Sequence, residues 1–225
     1  MFNKPTNSQF AAIFDQIAAD YDKSLNRYAT TRRVEFIRRY AKGKCLEVGA
    51  GTGTISQALS KNHPVVATDI APRMVQFIKK TKKISAFVSD AEKLPFKRAA
   101  FGSVISSEMI YYLDHPEKFF QEANRVLKSD GRLLLTSSAK ITETYDRLRT
   151  GLRSIGVKGM YFDDHNRRFM SVQRLKILLE QSGFKIIILE RTVLFPWAAL
   201  DPLNRLIETT PLKHLCVFIF IYAQK

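Results

Sequence analysis

Cysteine is scarce in this chain of 225 residues: only Cys45 and Cys216 occur, each inside an apolar run. Neither a disulfide scaffold nor a cysteine-rich metal site fits two thiols 171 positions apart, so both read as reduced core residues. Ten Gly and eight Pro exclude a collagen-like or low-complexity chain. Long apolar runs are missing too. The longest, Leu215 to Ala223, covers nine residues, against the roughly 20 that a spanning helix needs. Asn3, Lys4, Thr6, Asn7, Ser8 and Gln9 interrupt any apolar opening segment, so a cytoplasmic protein is expected. Acidic residues are few: 21 Asp and Glu against 36 Lys and Arg give +15. Such a field favours an anionic small molecule, nucleic acid or an acidic membrane as partner. Its dispersion over Arg32, Arg33, Arg38, Arg39, then Lys79, Lys80, Lys82, Lys83, then Arg147, Arg149, Arg153, Arg167 and Arg168 reads equally well as a solvated basic surface.

What is present is a rhythm of apolar segments. Phe10, Ile13, Phe14 and Ile17 lie on one face of a helix expected over Gln9–Ala19, and a second helix is expected over Thr30–Tyr40. Strands are expected at Lys44–Val48, Val65–Thr68, Ile84–Val88, Ser103–Ser106 and Arg132–Ser137. Helices are expected between them at Thr54–Leu59, Pro72–Lys80 and Pro116–Leu127. Alternation at this spacing implies an α/β domain, a parallel sheet with helices on both faces. The rhythm breaks at residues 139–174, which read as an insertion punctuated by Gly151, Gly156 and Gly159. A helix from Ser171 to Gly183 follows, then a strand Phe184–Glu190, an irregular stretch Phe195–His214 and a last strand Cys216–Tyr222.

The chemistry gathers at Cys45-Leu-Glu-Val-Gly-Ala-Gly-Thr-Gly53. Gly49, Gly51 and Gly53 leave a turn without side chains at the carboxyl end of the first strand, where a ligand can approach the backbone beside a helix N-terminus. Asp69 stands 20 positions beyond Gly49, where a carboxylate can accept both hydroxyls of a ribose. Together they describe a nucleoside pocket. The dinucleotide fingerprint would require glycine at 54, where this chain has Thr54.

The pattern Glu47-x-Gly49-x-Gly51-x-Gly53 resembles the first motif of class I S-adenosylmethionine-dependent methyltransferases. Asp90-Ala91, Leu94-Pro95-Phe96, Ser106-Ser107 and Arg125-Val-Leu-Lys128 before Gly131 are similar, in order, to the later motifs of the ubiquinone and menaquinone C-methyltransferase group. Phe14-Asp15, Ala18 and Tyr21-Asp22 resemble that group's leader helix, which closes over the cofactor. The resemblance implies a Rossmann-like, doubly wound, seven-stranded, mostly parallel sheet with an antiparallel last strand. A helical lid at 1–43, a cofactor core at 44–138, a cap insertion at 139–174 and C-terminal strands at 175–225 complete one domain. It further implies S-adenosylmethionine contacts at Tyr21, Glu47, Gly49, Gly51, Thr52, Gly53, Asp69, Ile70, Met74, Asp90, Ala91, Ser106 and Ser107, with S-adenosylhomocysteine as product. Plainer roles compete: Glu47 as partner of a buried base, Asp69 as a helix cap, Asp90 as a strand-end acid. Two departures stand out, Gly102 for an aspartate and Ser129-Asp130 for Pro-Gly; the first is expected to loosen a structural hydrogen bond, and neither touches the pocket directly.

In this group the segment after the fourth strand aims side chains at the transferred methyl, which here makes Tyr111, Tyr112 and His115 the catalytic candidates, with Glu108 beside them. Either tyrosine can also be core, and His115 before Pro116 also fits a cap. No metal is expected. Ser-Ser-Glu-Met replaces the Asn-Pro-Pro-Tyr of enzymes acting on planar nitrogens, which favours oxygen or carbon of a small or lipid-like acceptor. The segment 193–214, with Leu194, Phe195, Trp197, Leu200, Leu203, Leu206, Ile207, Arg205 and Lys213, suits a greasy pocket wall, an acidic membrane contact or a covered sheet edge. Arg147, Arg149, Arg153, Arg167 and Arg168 would receive a phosphate or carboxylate. Methylation of RNA through the basic surface, and cofactor binding without transfer, stay open as alternatives.

Overall fold

The computed structural model describes residues 7–18, 20–145 and 168–225; Arg147, Arg149, Arg153 and Arg167, with most of the 139–174 insertion, lie outside them. Seven strands form one sheet: β1 (Cys45–Val48), β2 (Val65–Asp69), β3 (Ser85–Val88), β4 (Phe101–Ser107), β5 (Leu127–Ser138), β6 (Lys185–Thr192) and β7 (Phe218–Gln224). Their order is β3-β2-β1-β4-β5-β7-β6. Pairs from β3 through β5 are parallel, and β7 runs antiparallel to both neighbours. The strand order reverses between β1 and β4, so the carboxyl ends of those two strands part there, and a ligand crevice opens.

Helices α3 (Arg27–Tyr40), α4 (Thr54–Leu59), α5 (Pro72–Phe77), α6 (Pro116–Val126) and α7 (Val172–Gln181) surround the sheet. Before them come α1 (Asn7–Ile17) and the single turn α2 (Tyr21–Ser24). Phe119, Phe120, Ala123 and Val126 bury the apolar stripe of α6 on one side, beside Leu133 and Leu135. Phe36 and Ile37 of α3 pack with Ile105, Leu134 and Phe220 in a second cluster. Both cysteines are free and buried, and burial pushes each thiol up to about 11. No helix among the described residues is long and apolar enough to cross a membrane.

Several expected boundaries move, each for a local reason. Helix α3 starts at Arg27 rather than Thr30 because Asn26 caps it, its side chain accepting from Ala29 N at 2.8 Å. The end of the Pro72 helix widens into a π-turn, Ile78–Lys82, closed by Lys83 at φ +55°. Strand β5 begins at Leu127 rather than Arg132, because Leu127 already pairs with Phe101. The stretch 195–214 is mostly ordered helix rather than irregular: a 3-10 turn Ala198–Leu200, helix α8 (Asp201–Glu208) and a second 3-10 turn Pro211–Leu215. Gly102 costs no hydrogen bond either. A Cβ there would meet Lys42 O at 2.4 Å, and the neighbouring Ser103 hydroxyl accepts from Lys42 N at 2.8 Å and donates to Lys42 O at 3.0 Å. An aspartate has no room here.

Two arginines counted towards a solvated surface turn inward. Arg32 is buried, donating to Asp201 at 3.1 Å, to the Glu208 carboxylate at 2.8 and 3.0 Å, to Thr192 at 2.9 Å and to the Tyr28 hydroxyl at 2.9 Å. Arg33 lies over the Phe218 ring at 4.5 Å.

Candidate active site

A cleft opens at the carboxyl ends of β1, β2 and β4, with about 710 Å³ of empty space including its mouth. Its floor is the glycine turn. Gly49 N and Ala50 N both donate to Thr68 O at 2.9 Å, which ties the turn to β2. Gly49, Gly51 and Gly53 all have positive φ. At Gly49 a Cβ would press on Met109 Cγ at 2.4 Å, and at Gly51 it would meet the Tyr21 ring at 3.2 Å, so the packing as well as the conformation asks for glycine.

Asp69 ends β2 and is buried. One carboxylate oxygen accepts from Gly51 N at 2.7 Å and the other from Ala71 N at 2.9 Å. Each oxygen keeps a second lone pair for the cleft. Burial pushes this carboxyl up to about 6, against the pull of those backbone donors. Asp90 follows β3 and accepts from Glu92 N at 2.8 Å. The Leu94-Pro95-Phe96 loop beyond it is clasped to α6: Arg125 donates to Leu94 O at 3.0 Å and Phe96 O at 2.7 Å, while Glu122 accepts from Leu94 N at 2.8 Å. That clasp anchors the loop that follows Asp90 and Ala91, which line the cleft.

The leader closes the other side. Asp15 of α1 accepts from Arg73 N at 2.7 Å, and Asp22 of α2 accepts from the Thr52 hydroxyl. Phe10 and Phe14 meet Tyr112 edge-on, with centroids 5.3 and 5.2 Å apart, and Phe14 meets Tyr21 at 6.3 Å. Burial, with Asp69 nearby, drives the Tyr21 phenol up to about 12, so it stays protonated. Beyond β4, Glu108 holds a left-handed φ of +56°. One of its oxygens accepts from Ser138 Oγ at 2.6 Å and Tyr111 Oη at 3.2 Å; the other is buried, 3.6 Å from Arg33 Nε, without a hydrogen-bond partner among the described residues.

Of the residues expected at the site, the cleft gathers Tyr21, Gly49, Gly51, Asp69, Ile70, Met74, Asp90, Ala91, Ser107 and Tyr112. Six others stand off its lining. Glu47 faces α4, accepting from the Ser56 hydroxyl, and burial pushes its carboxyl up to about 8. Thr52 and Gly53 support the turn from behind, and Ser106 is fully buried within the sheet. Tyr111 is core, packed on Tyr112 and Phe169. His115 precedes α6 at its N-cap, its ring 3.2 Å from Glu117. Val48, Ser89, Met109 and Leu113 also line the cleft; Val48 ends β1, and the other three follow β3 or β4 with no further signal in the sequence.

A methyltransferase-domain family model matches residues 46–135, the glycine turn through β5. A malonyl-[acyl-carrier protein] O-methyltransferase of Hahella chejuensis is 30% identical over 75% of this chain, which spans 61% of that protein. The chain carries a methyltransferase domain and is similar to class I S-adenosylmethionine-dependent methyltransferases. An uncharacterized protein of Methanocaldococcus jannaschii is 26% identical, covering 80% of this chain and 85% of its own. A solved Thermotoga maritima methyltransferase, described as a possible histamine N-methyltransferase, shares the fold at TM-score 0.73 and 22% identity, over 95% of this chain and 99% of that one. The side-chain-free turn, the buried Asp69 and the ringed mouth fit such a cofactor.

Proposed function

We propose that this methyltransferase acts on oxygen or carbon of a small or lipid-like acceptor. The observation that carries the reading is the cleft lining, in which Phe10, Phe14, Met109, Tyr112 and Leu113 accompany the carboxylates Asp69, Asp90 and Glu108. S-adenosylmethionine, when bound, supplies an electrophilic methyl group on a cationic sulfur. Asp69 would accept the ribose hydroxyls, Asp90 and Ala91 would flank the adenine, and the backbone at Gly49 and Gly51 would admit the amino-acid end. The rings of Phe14, Tyr21 and Tyr112 offer their faces to positive charge and exclude water. The other cofactor contacts expected from the resemblance, Glu47, Thr52, Gly53 and Ser106, act by shaping the turn and strand ends rather than by touch. Glu108, oriented by the Tyr111 and Ser138 hydroxyls and facing Arg33, is the carboxylate that would take the proton the acceptor releases. Tyr112 positions the acceptor, and His115, at the N-cap position of α6 with its ring beside Glu117, stands off the cleft lining. An acceptor carrying phosphate or carboxylate suits the chain's positive field.

The test is a radiolabel chase with methyl-labelled S-adenosylmethionine and host extract separated into lipid, small-molecule, protein and nucleic-acid fractions. Label in lipid or small molecules is the expected result. Label in nucleic acid overturns the acceptor reading, and no label with intact cofactor binding overturns transfer itself.

A further inference from the structure

Helix α8 is turned inside out. Its buried positions are Asn204 and Ile207, and its two carboxylates, Asp201 and Glu208, bond inward to Arg32; Leu203 and Leu206 point to solvent. Asn204 accepts from Leu194 N at 3.0 Å and Phe195 N at 2.9 Å and donates to Phe195 O at 2.9 Å, so polar groups weld the inner face. Water-facing helices place these residue types the other way round. The exposure extends beyond the helix: Trp197, Leu203, Leu206, Leu212 and Leu215 are five of the nine large apolar side chains left exposed among the described residues. Trp197 is 61% and Leu206 62% exposed.

Charge separates along the same line. The acids of this segment are consumed within it or beneath it: Asp201 by Tyr28 at 2.6 Å, Arg32 and Arg205, and Glu208 by Arg32 and Val193 N. The exposed turn Pro211–Leu215 carries Lys213 and His214 and no acid. Arg27 is exposed on α3, the helix to which α8 is bonded through Tyr28 and Arg32. Apolar tips beside Lys213 and Arg27, which have no ion pair among the described residues, match the boundary between acyl chains and anionic headgroups.

We infer that the Trp197–Leu215 face docks the enzyme on an anionic bilayer surface, with Trp197, Leu206 and Leu212 entering the headgroup boundary and Lys213 meeting the lipid charge. This goes beyond the acceptor reading and does not need it. Trp197 is the chain's single tryptophan, so its emission reports on this face alone. The full-length protein is mixed with vesicles of phosphatidylglycerol and phosphatidylcholine, or of phosphatidylcholine alone, and both emission and sedimentation are read.

The expected result is a blue shift with co-sedimentation on the anionic vesicles only, weakened by salt. Leu206→Glu is expected to raise the lipid concentration at half-binding about tenfold or more. S-adenosylhomocysteine affinity, measured by calorimetry, should stay unchanged, showing that the variant is folded. Sedimentation without a change in Trp197 emission places the contact on another face and overturns the inference, as does absence of binding. A blue shift that grows with protein concentration without vesicles assigns the face to a second copy and also overturns it. The radiolabel chase reads the acceptor separately, so either reading can fail alone.

Discussion

Take a cofactor-binding titration from near pH 7 to near pH 5. Asp69 gives both carboxylate oxygens to backbone N–H groups while burial raises its carboxyl from 3.8 to about 6. Its ionised fraction therefore falls from about nine-tenths to about one-tenth across that interval. A protonated carboxyl replaces one of the lone pairs that would accept ribose hydroxyls with a hydrogen, so cofactor affinity should fall about tenfold. The assay is calorimetry with S-adenosylhomocysteine in two buffers of different ionisation enthalpy. Binding near pH 5 should release close to one proton, and near pH 7 almost none. Asp69→Asn should bind at least about tenfold more weakly at neutral pH, since it has lost an acceptor and leaves Gly51 N or Ala71 N unpaired, and its affinity should not vary with pH. Equal wild-type affinity at the two pH values, or a slope that survives in Asp69→Asn, would refute the reasoning.

Glu47 has a raised folded value, about 8 against 4.5, so its contribution to stability is complete below about pH 4.5 and is lost as pH rises through 8. Glu47→Gln should thus raise the thermal midpoint more at pH 8 than at pH 5, and an equal rise at both would remove the shift as the cause. Arg32→Met leaves Glu208 partly buried without its cation, while Asp201 keeps Arg205, and should cost about 3 kcal/mol or more in urea unfolding. Gly102→Ala drives a methyl into the Lys42 carbonyl and should destabilise by about 1–3 kcal/mol. Calorimetry should find its cofactor affinity intact, since the clash lies at the opposite end of β4 from the cleft.

The core was legible because its signals are local. A glycine turn between an apolar strand and a helix, an acid after the next strand, and alternating periods fix β1 to β5 in order. Phe10 and Phe14 showed their face by spacing of four. What escaped depends on distant partners. Nothing near Arg32 in the chain tells that Asp201, Glu208 and Thr192 will surround it, so a run of arginines reads as surface. The same distance kept the choice open at α8: Leu203 and Leu206 fit a pocket wall, a membrane contact or a covered sheet edge, and only the inward bonds of Asp201, Asn204 and Glu208 turn them out. Tyr111 and Tyr112 are adjacent and alike, and only the fold separates them, sending one into the core and the other to the cleft.

Arg32 and Arg33 show how one helix serves two ends of the molecule. Neighbouring side chains on a helix diverge by about 100°, so Arg32 enters the network under α8 while Arg33 crosses the Phe218 ring towards Glu108. The backbone that carries them is common, and Phe36 and Ile37 further along it are fixed in the core. The segment bearing the exposed apolar tips and the carboxylate at the cleft end are therefore held by consecutive residues of one rigid element. Removing Arg32 should loosen α8 first, because Asp201, Glu208, Thr192 and Tyr28 all bond to it. Removing Arg33 should act on Glu108, which then keeps, among the described residues, the Tyr111 and Ser138 hydroxyls. Basic residues that inflate the net charge are, at these two positions, internal fastenings, and the field that reaches a partner comes from the remainder.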